Sequence, residues 1–422
     1  MANLTLTSTN TASGSTAVTV ASSVAAGGSS SYTAVDSGTT ALVGSVGDGS
    51  LAASNSTTVG LTASNYYTVI AYARNGIVNL TTILDAQTAP ATGFALLSIS
   101  NPAPDAGPLD VYVVSQGAAI DDTVTPKYQN VFSGGSSLSQ SIAAGTYDIV
   151  ITAYNKPADV RLKIAGINLK DQEIAMLMLT STTGGALVDG TLIQQDTTTS
   201  QGGAITAYNN TNARIRLVGA FAGLYRLDYS ATGSITDSVI SNGIGANGYK
   251  VVPAGTVINS VSVTPSGSGA VAATESAASL LPLNTPLVAG NEYSLLVYGD
   301  TTTPSAQLIA DNNQAPTAAR IRMINVVSWP GNAAFNVISL YNSSVSLYAQ
   351  PVGYEQASPY AGLTTGVSHL NAQVEALSNP LVPIQDGKNI ALGGVYTLIM
   401  GGSNTAFSSA LLLDRCLPTI QC

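Results

Sequence analysis

Two aspartates in the stretch NPAPDAGPLDVYVV, residues 101–114, are the first candidates for chemistry. Asp105 and Asp110 could offer carboxylate oxygens to calcium, but a calcium loop usually supplies several spaced carboxylates and this stretch has only these two. Its three prolines fix φ and withhold backbone donors, which breaks a strand. Asp105 can also bond its own backbone in a turn. The stretch therefore favours a rigid corner that sets the register of the next strand, with a calcium site as the alternative.

Residues that could act as a nucleophile and its base are sparse. The single histidine, His369, follows Ser368, and neighbouring strand residues point to opposite faces, which prevents a nucleophile–base pair. One histidine and two cysteines at the chain end exclude a His/Cys zinc site. Asp121 and Asp122 could act as paired carboxylates, although an exposed loop is the favoured interpretation. We assign no catalytic, cofactor-binding or metal-binding residue and expect a protein that is not an enzyme.

Two pairs of arginines alternate with apolar residues, Arg214 with Arg216 and Arg320 with Arg322. Because strand residues two apart share a face, each pair lies on one face of a strand. These charges are either exposed to solvent or placed between domains. An anion-binding site is the remaining alternative.

Composition narrows the class of protein. Charged residues make up only 9% of the chain, far below the usual quarter of a soluble domain. The net charge is −9 with 14 Lys and Arg, so a basic nucleic-acid footprint is absent. No run of 18 apolar residues exists, and no transmembrane helix is expected. The composition is typical of extracellular proteins, and we expect that an export signal is missing from the sequence, because MANLTLTSTN is not one.

Both cysteines, Cys416 and Cys422, lie in the last seven residues. The five residues between them are few and include Pro418, so the two thiols can meet. We expect a disulfide within the chain in an oxidising compartment, and a link between subunits is the alternative.

Similar segments recur four times along the chain. An apolar segment appears as NYYTVIAY from Asn65, QEIAMLML from Gln172, NEYSLLVY from Asn291 and GVYTLIMG from Gly394. Each is bounded by polar or glycine residues, which is typical of a buried strand. The strand after each ends in an aspartate: Asp85, Asp196, Asp311 and Asp414. Upstream lie turn glycines, Gly38, Gly145, Gly255 and Gly366, and opening strands such as ARIRLV from Ala213 and ARIRMIN from Ala319.

This order of segments predicts an all-β fold of four tandem immunoglobulin-like β-sandwich domains. We place repeat 1 at residues 1–88, repeat 2 at 89–200, repeat 3 at 201–314 and repeat 4 at 315–416. A cysteine-bearing tail follows at 417–422. Linkers between the repeats are short and carry proline, which favours semi-rigid spacing.

The segments NPAPDAGPLDVYVV and IAAGTYDIVITA together resemble the bacterial domain-of-unknown-function 4397 family, DUF4397. Repeat 2 is most similar to it, repeats 3 and 4 keep the ARIR opening but lose the Pro-Asp turn, and repeat 1 is more degenerate. The resemblance implies a secreted or surface-anchored protein of β-sandwich modules. The family has no agreed activity, so it implies no catalytic residue.

We therefore expect an extracellular structural protein of a bacterial surface, either a self-assembling filament, sheath or surface-layer subunit or an adhesin stalk. The alternative is a module protein that binds carbohydrate or another surface polymer through tyrosine-bearing faces, although Trp329 is the only tryptophan. The expected partners are further copies of the chain and, in the alternative, a surface polysaccharide. No cofactor is expected.

The chain start suggests how copies could associate. Asn3, Leu4, Thr5, Leu6 and Thr7 alternate as a strand does, and repeat 1 is short. We hypothesise that its sandwich lacks a strand and exposes a sheet edge, and that residues 3–7 are exchanged between copies, which would build a fibre. The alternative is that these residues complete their own domain.

Overall fold

The computed structural model describes residues 3–12, 15–25, 28–74, 77–85, 88–103, 105–195, 204–265, 278–280, 284–300, 303–327, 338–374, 382–403 and 406–415. Within these ranges the chain consists of strands and one short 3₁₀ turn at Thr232–Ser234. The all-β prediction is confirmed, and the four domain boundaries stay predictions. None of the described elements is a helix with the length and apolar character that crossing a membrane requires.

Repeat 2 is built from two antiparallel-rich sheets. Its strands are β7 (Phe94–Asn101), β8 (Leu109–Ser115), β9 (Tyr128–Val131), β10 (Gly135–Ser136), β11 (Gln140–Ala143), β12 (Gly145–Ala153), β13 (Lys156–Leu169), β14 (Ile174–Ser181), β15 (Val188–Gln195) and β16 (Ala204–Tyr208). One sheet has the order β10-β7-β14-β15-β16 with β11 also beside β7, and the other has the order β13-β12-β8-β9. β16 pairs with β15, so this sheet extends past the predicted boundary at residue 200.

Repeat 3 forms one large sheet. Its strands are β17 (Asn212–Ala231), β18 (Ile235–Ala246), β19 (Lys250–Pro253), β20 (Ile258–Pro265), β21 (Ala278–Leu280), β22 (Glu292–Asp300) and β23 (Thr303–Asp311). The order is β21-β20-β17-β22-β23, with β18 and β19 also beside β17.

Repeat 4 returns to two sheets. Its strands are β24 (Ala319–Asn325), β25 (Ile338–Asn342), β26 (Val345–Ser346), β27 (Gln356–Ala357), β28 (Ala361–Leu363), β29 (Gly366–Val374), β30 (Val382–Ile390), β31 (Val395–Ser403) and β32 (Ala406–Leu413). The orders are β27-β24-β31-β32, with β28 also beside β24, and β26-β25-β29-β30.

One pairing recurs in these three repeats. The opening strand lies parallel to the apolar strand, as β7 beside β14, β17 beside β22 and β24 beside β31. Strands with parallel neighbours are usually covered on both faces and read as continuous apolar runs, which explains why the recurring segments do not alternate. β14, for example, is buried over six successive residues.

The corner at residues 101–108 shows what its prolines do. In repeat 2 the chain ends β7 at Asn101 and begins β8 at Leu109, in the other sheet. Repeat 3 has no proline at the corresponding place, and β17 runs on through both positions as a strand of 20 residues. Its register with β18 shifts between Ala220 and Leu224, which marks the bend. The rigid-corner interpretation thus agrees with the structure.

Repeat 1 differs from the others. Its strands are β1 (Leu4–Asn10), β2 (Val18–Val24), β3 (Gly38–Val46), β4 (Thr57–Leu61), β5 (Tyr67–Arg74) and β6 (Ile77–Leu84). They form a sheet of order β2-β1-β3-β4 and a separate hairpin of β5 and β6. Repeats 2, 3 and 4 each bury an apolar cluster between their strands. Among the described residues of repeat 1 the buried hydrophobic side chains are Leu6, Leu42, Ile70 and Val78.

Candidate functional site

The opening strands of repeats 3 and 4 turn their arginines away from their own cores. Ala213, Ile215 and Leu217 lie in the core of repeat 3, so Arg214 and Arg216 project from the opposite face of β17. The same alternation in β24 separates Ile321 from Arg320 and Arg322.

These outer faces are packed against one another. Val218 and Leu296 of repeat 3 share an apolar cluster with Ile324 and Ile399 of repeat 4. Arg216 and Arg322 are each only 3% exposed. The structure therefore shows Arg216 and Arg322 between repeats rather than in solvent, whereas Arg320 is partly exposed.

The two repeats exchange ion pairs across this contact. Nη2 of Arg216 lies 2.7 Å from Oδ1 of Asp414, at the end of repeat 4. In the opposite direction, Arg322 of repeat 4 pairs with Asp311 at the end of repeat 3. All four side chains are buried, and we call this group the interrepeat ion-pair cluster. Two of the closing aspartates, Asp311 and Asp414, are therefore acceptors for arginines of the neighbouring repeat.

Hydroxyl groups extend each ion pair into a network. Nε of Arg216 donates to Oγ of Ser294 over 2.7 Å, and this hydroxyl donates to Oδ2 of Asp311, also over 2.7 Å. In repeat 4, Arg322 donates to Thr397 over 2.9 Å, and Thr397 donates to Asp414. Such charge-assisted bonds supply the partners that buried charges require.

A tyrosine lies under each pair of arginines. Tyr249 has the guanidinium carbons of Arg214 and Arg216 at 4.7 and 4.8 Å from its ring centre. Tyr360 has those of Arg320 and Arg322 at 4.5 and 5.2 Å. The tyrosines occupy equivalent positions, six residues before Gly255 and six before Gly366. The cation–π contacts therefore recur with the repeat.

Burial and charge act in opposite directions on this cluster. Burial lowers and the Asp414 carboxylate raises the pKa of Arg216, and the net direction is upward. Burial raises the pKa of Asp414, against the lowering effect of Arg216 and Arg322. The arginines are charged at any physiological pH. The cluster therefore consists of compensated charges, whose arrangement joins two repeats.

Repeat 2 contacts repeat 3 beside the same cluster. The N–H of Gly184 donates to the carbonyl of Gly290 and that of Ala186 to Oε1 of Glu292, both over 2.8 Å. Glu292 also pairs with Arg214 at 3.1 Å and is fully buried. A Cβ at Gly185 would lie 2.6 Å from the backbone of Asn313 and Gln314, so only glycine fits this contact.

The proline corner between β7 and β8 also contributes to the contacts between repeats. Asp105 is 2% exposed, and its Oδ1 accepts from the backbone N–H of Ala315, which lies between repeats 3 and 4. Asp110 accepts from the N–H groups of Asn130 and Asn155, both at 2.9 Å. The two aspartates thus bind backbone donors. Among the described residues no group of three or more His, Cys, Asp or Glu is placed to hold a metal ion.

Repeat 1 contains an aspartate with the same two kinds of hydroxyl donor as Asp311 of the interrepeat ion-pair cluster. Asp85 accepts from the hydroxyl of Tyr32 at 2.9 Å and from that of Thr68 at 3.0 Å. In repeat 3, Asp311 accepts likewise from Tyr249 and Ser294. Asp85 forms no ion pair with Lys or Arg within the described part of the chain. Burial raises its pKa, while the two hydroxyl donors lower it.

The other predicted residues lie apart from this junction. Leu4, Thr5, Leu6 and Thr7 belong to β1, which pairs with β2 and β3 of the same chain, and Asn3 precedes it. Their exchange between copies stays a prediction. Ser368 is buried and His369 is exposed beside Asp386, as alternation predicts. Asp121 and Asp122 lie in an exposed loop.

Some predicted residues fall outside the described ranges. They are Pro104, Asp196, Trp329, Cys416 and Cys422. The disulfide therefore stays a prediction.

The sequence analysis did not identify Tyr249 and Tyr360 as partners of the interrepeat ion-pair cluster, nor Tyr32 as the partner of Asp85. Their constant distance of six residues from the turn glycines was the available signal. No sequence signal marked Glu292, because its role depends on the packing of repeat 2 against repeat 3.

A comparison with models of known protein families found a match over part of the chain. The family model described as "Domain of unknown function (DUF4397)" matches residues 7–112. The match crosses the predicted boundary at residue 88 and ends at Tyr112, so it includes Asp105 and Asp110. No curated protein matches the chain.

Two solved structures have weak likeness to the chain. One, from Bacteroides uniformis, is described as a "putative cell adhesion protein", with 12% identity, a TM-score of 0.24, and 53% of this chain and 100% of that chain covered. The other is the Bacillus anthracis TIE protein, with 9% identity, a TM-score of 0.15, and 97% and 68% covered. Such TM-scores do not define a shared fold. The family match over residues 7–112 confirms the resemblance that the sequence showed, to DUF4397.

Proposed function

We propose that the protein is an extracellular structural protein of a bacterial surface, a subunit of a filament, sheath or surface layer or the stalk of an adhesin. One observation carries this proposal, which is the buried junction that joins repeats 2, 3 and 4. Domains of one chain move relative to each other by default unless their interface is large or well packed. Charged pairs buried between repeats resist such movement, because separating them leaves uncompensated charges.

A rigid series of domains suits a protein whose task is to hold a shape. The low content of charged residues, 9%, favours packing of copies with little repulsion between them. The cluster groups satisfy one another, which supports a structural role rather than an enzymatic one. We propose a location outside the cell on the same grounds of composition.

Electron microscopy of the native material, with size-exclusion mass measurement of the purified chain, tests the assembly. Filaments, sheets or a stable oligomer are the expected result. A chain that stays monomeric at high concentration and binds glycans on an array would instead favour the carbohydrate-binding alternative and overturn the proposal.

Small-angle scattering tests the rigidity separately. Arg216→Gln should broaden the distribution of interrepeat distances, because Asp414 loses its partner. Arg226→Gln is the matched control, since Arg226 lies on the same strand but pairs with Asp228 at the surface. Equal scattering from both variants would show that the cluster does not hold the repeats in place.

A further inference from the structure

Strand β5 has a partner strand along one edge, whereas the corresponding strands of the other repeats have a partner along both edges. Among the described residues it pairs with β6 alone. The corresponding strands β14, β22 and β31 each have a closing strand on one side and a parallel opening strand on the other. In the part of repeat 1 that the structure describes, no opening strand lies beside β5, unlike in the other three repeats.

The side chains that receive this strand are already in place. Arg216 of an opening strand donates to Ser294, rests on Tyr249, and both of those hydroxyls donate to Asp311. In repeat 1 the hydroxyls of Thr68 and Tyr32 donate to Asp85 in the same way. Tyr32 lies six residues before Gly38, as Tyr249 does before Gly255. Among the described residues, the member of this set that repeat 1 does not supply is the arginine.

Apolar surface beside β5 is correspondingly less covered. Val69 corresponds to Leu295 and Leu398, which are both fully buried, whereas Val69 is half-buried. Repeat 1 also has few buried apolar residues of its own. A further strand would cover Val69 with the aliphatic residues that alternate with the arginines.

We propose that the open edge of β5 binds a parallel β-strand of another polypeptide, which carries arginine opposite Thr68 and aliphatic residues on either side. The register follows from repeat 3, where Ile215, Arg216 and Leu217 lie beside Tyr293, Ser294 and Leu295. Asp85 supplies the complementary negative charge. Main-chain hydrogen bonds along an exposed sheet edge supply the rest of the affinity. This inference does not depend on filament formation.

A synthetic peptide tests this binding on the intact chain. The probe is NARIRLVGA, residues 212–220 of the protein itself, with a fluorescent label. We expect saturable binding, and roughly tenfold weaker binding when the peptide carries Arg216→Ser, because a charge-assisted hydrogen bond is lost. Methylation of the backbone nitrogen of Arg216 in the peptide should abolish binding. In repeat 3 the N–H of Arg214 donates to the carbonyl of Asn291, just before β22. Residues two apart in a strand point their N–H groups to the same side, so the N–H of Arg216 is also needed for strand pairing.

Variants of the protein locate the peptide. Asp85→Asn should weaken binding roughly tenfold. Asp48→Asn, which changes the same charge in an exposed loop of repeat 1, should leave it unchanged. Binding that is absent, or that is equal for Asp85→Asn and Asp48→Asn, would overturn the proposal. So would equal affinity for the methylated peptide, which would show a charge contact without strand pairing.

Discussion

Arg216 and Asp414 lie 198 residues apart in the sequence and form a buried ion pair of 2.7 Å. Arg322 and Asp311 form its counterpart, with the arginine and aspartate contributed by the opposite repeats. Each repeat therefore supplies the arginine that its neighbour's closing aspartate requires. This reciprocity ties the stability of each repeat to the presence of the other.

Arg216→Met should destabilise the chain by about 3–5 kcal/mol, because one partner of a buried ion pair is removed and the other is left uncompensated. Chemical denaturation measures this change. Arg226→Met, on the same strand at the surface, should cost under about 1 kcal/mol. The double variant Arg216→Met with Asp414→Leu should recover part of the loss. Equal losses for Arg216→Met and Arg226→Met would contradict the assigned role.

Gly185→Ala should disrupt the contact between repeats 2 and 3. Gly185 has φ of +109°, and its added Cβ would lie 2.6 Å from the backbone of Asn313. Gly117→Ala is the control, because Gly117 has φ of +79° with nothing within 4 Å of an added Cβ. We expect both variants to show backbone strain, and Gly185→Ala to lose about 1–3 kcal/mol more from overpacking. Thermal unfolding compares them, and a smaller loss at Gly185 would argue against the contact.

Asp105→Ala should cost about 1–3 kcal/mol, because the partly buried N–H of Ala315 loses an acceptor. Asp121→Ala, in an exposed loop, should change the free energy of unfolding by about 0.5 kcal/mol or less. Thermal unfolding of the native chain and of Asp105→Ala, with calcium and with a chelator, tests the calcium site that the sequence left as the alternative. We expect that neither calcium nor the chelator changes the stability. A gain in stability with calcium that is lost in Asp105→Ala would show a calcium site instead.

Stability should depend on the protonation of Asp85. Burial raises its folded-state pKa above the unfolded value of about 4, so the folded state binds the proton more tightly. The Asp85 contribution is therefore fully present below the unfolded pKa and is lost as pH rises through the folded pKa. The difference in unfolding free energy between the native chain and Asp85→Asn should fall as pH is raised from about 4. A flat difference would contradict the raised pKa. Tyr32 is the described titratable group in contact with Asp85.

Local patterns were sufficient to predict the strands. The apolar segments form strands, and the described closing aspartates, Asp85, Asp311 and Asp414, lie at or just after strand ends, because period and turn chemistry are properties of neighbouring residues. Three of the predicted turn glycines, Gly38, Gly255 and Gly366, have positive φ, which glycine adopts most readily. Gly145 is not among the residues with positive φ and begins β12 in extended backbone.

Contacts between repeats could not be predicted in the same way. Alternation places Arg214 and Arg216 on one face of a strand, but it does not reveal whether solvent or another repeat covers that face. Asp105 was expected to bond within its own turn, and its acceptor oxygen instead serves Ala315, 210 residues later. Such pairings depend on how whole sheets pack, which no local period encodes.

The unbroken course of β17 has a consequence for how repeat 3 opens. Residues 212–220 of β17 pair with β19 and β22, and residues 225–231 pair with β20. β18 pairs with residues on both sides of the bend, so β17 and β18 together link the two halves of the repeat. In repeat 2 the proline corner divides the same path between two sheets. Amide hydrogens along β17 should therefore exchange with deuterium only when the whole repeat opens, whereas β7 and β8 can exchange at separate rates.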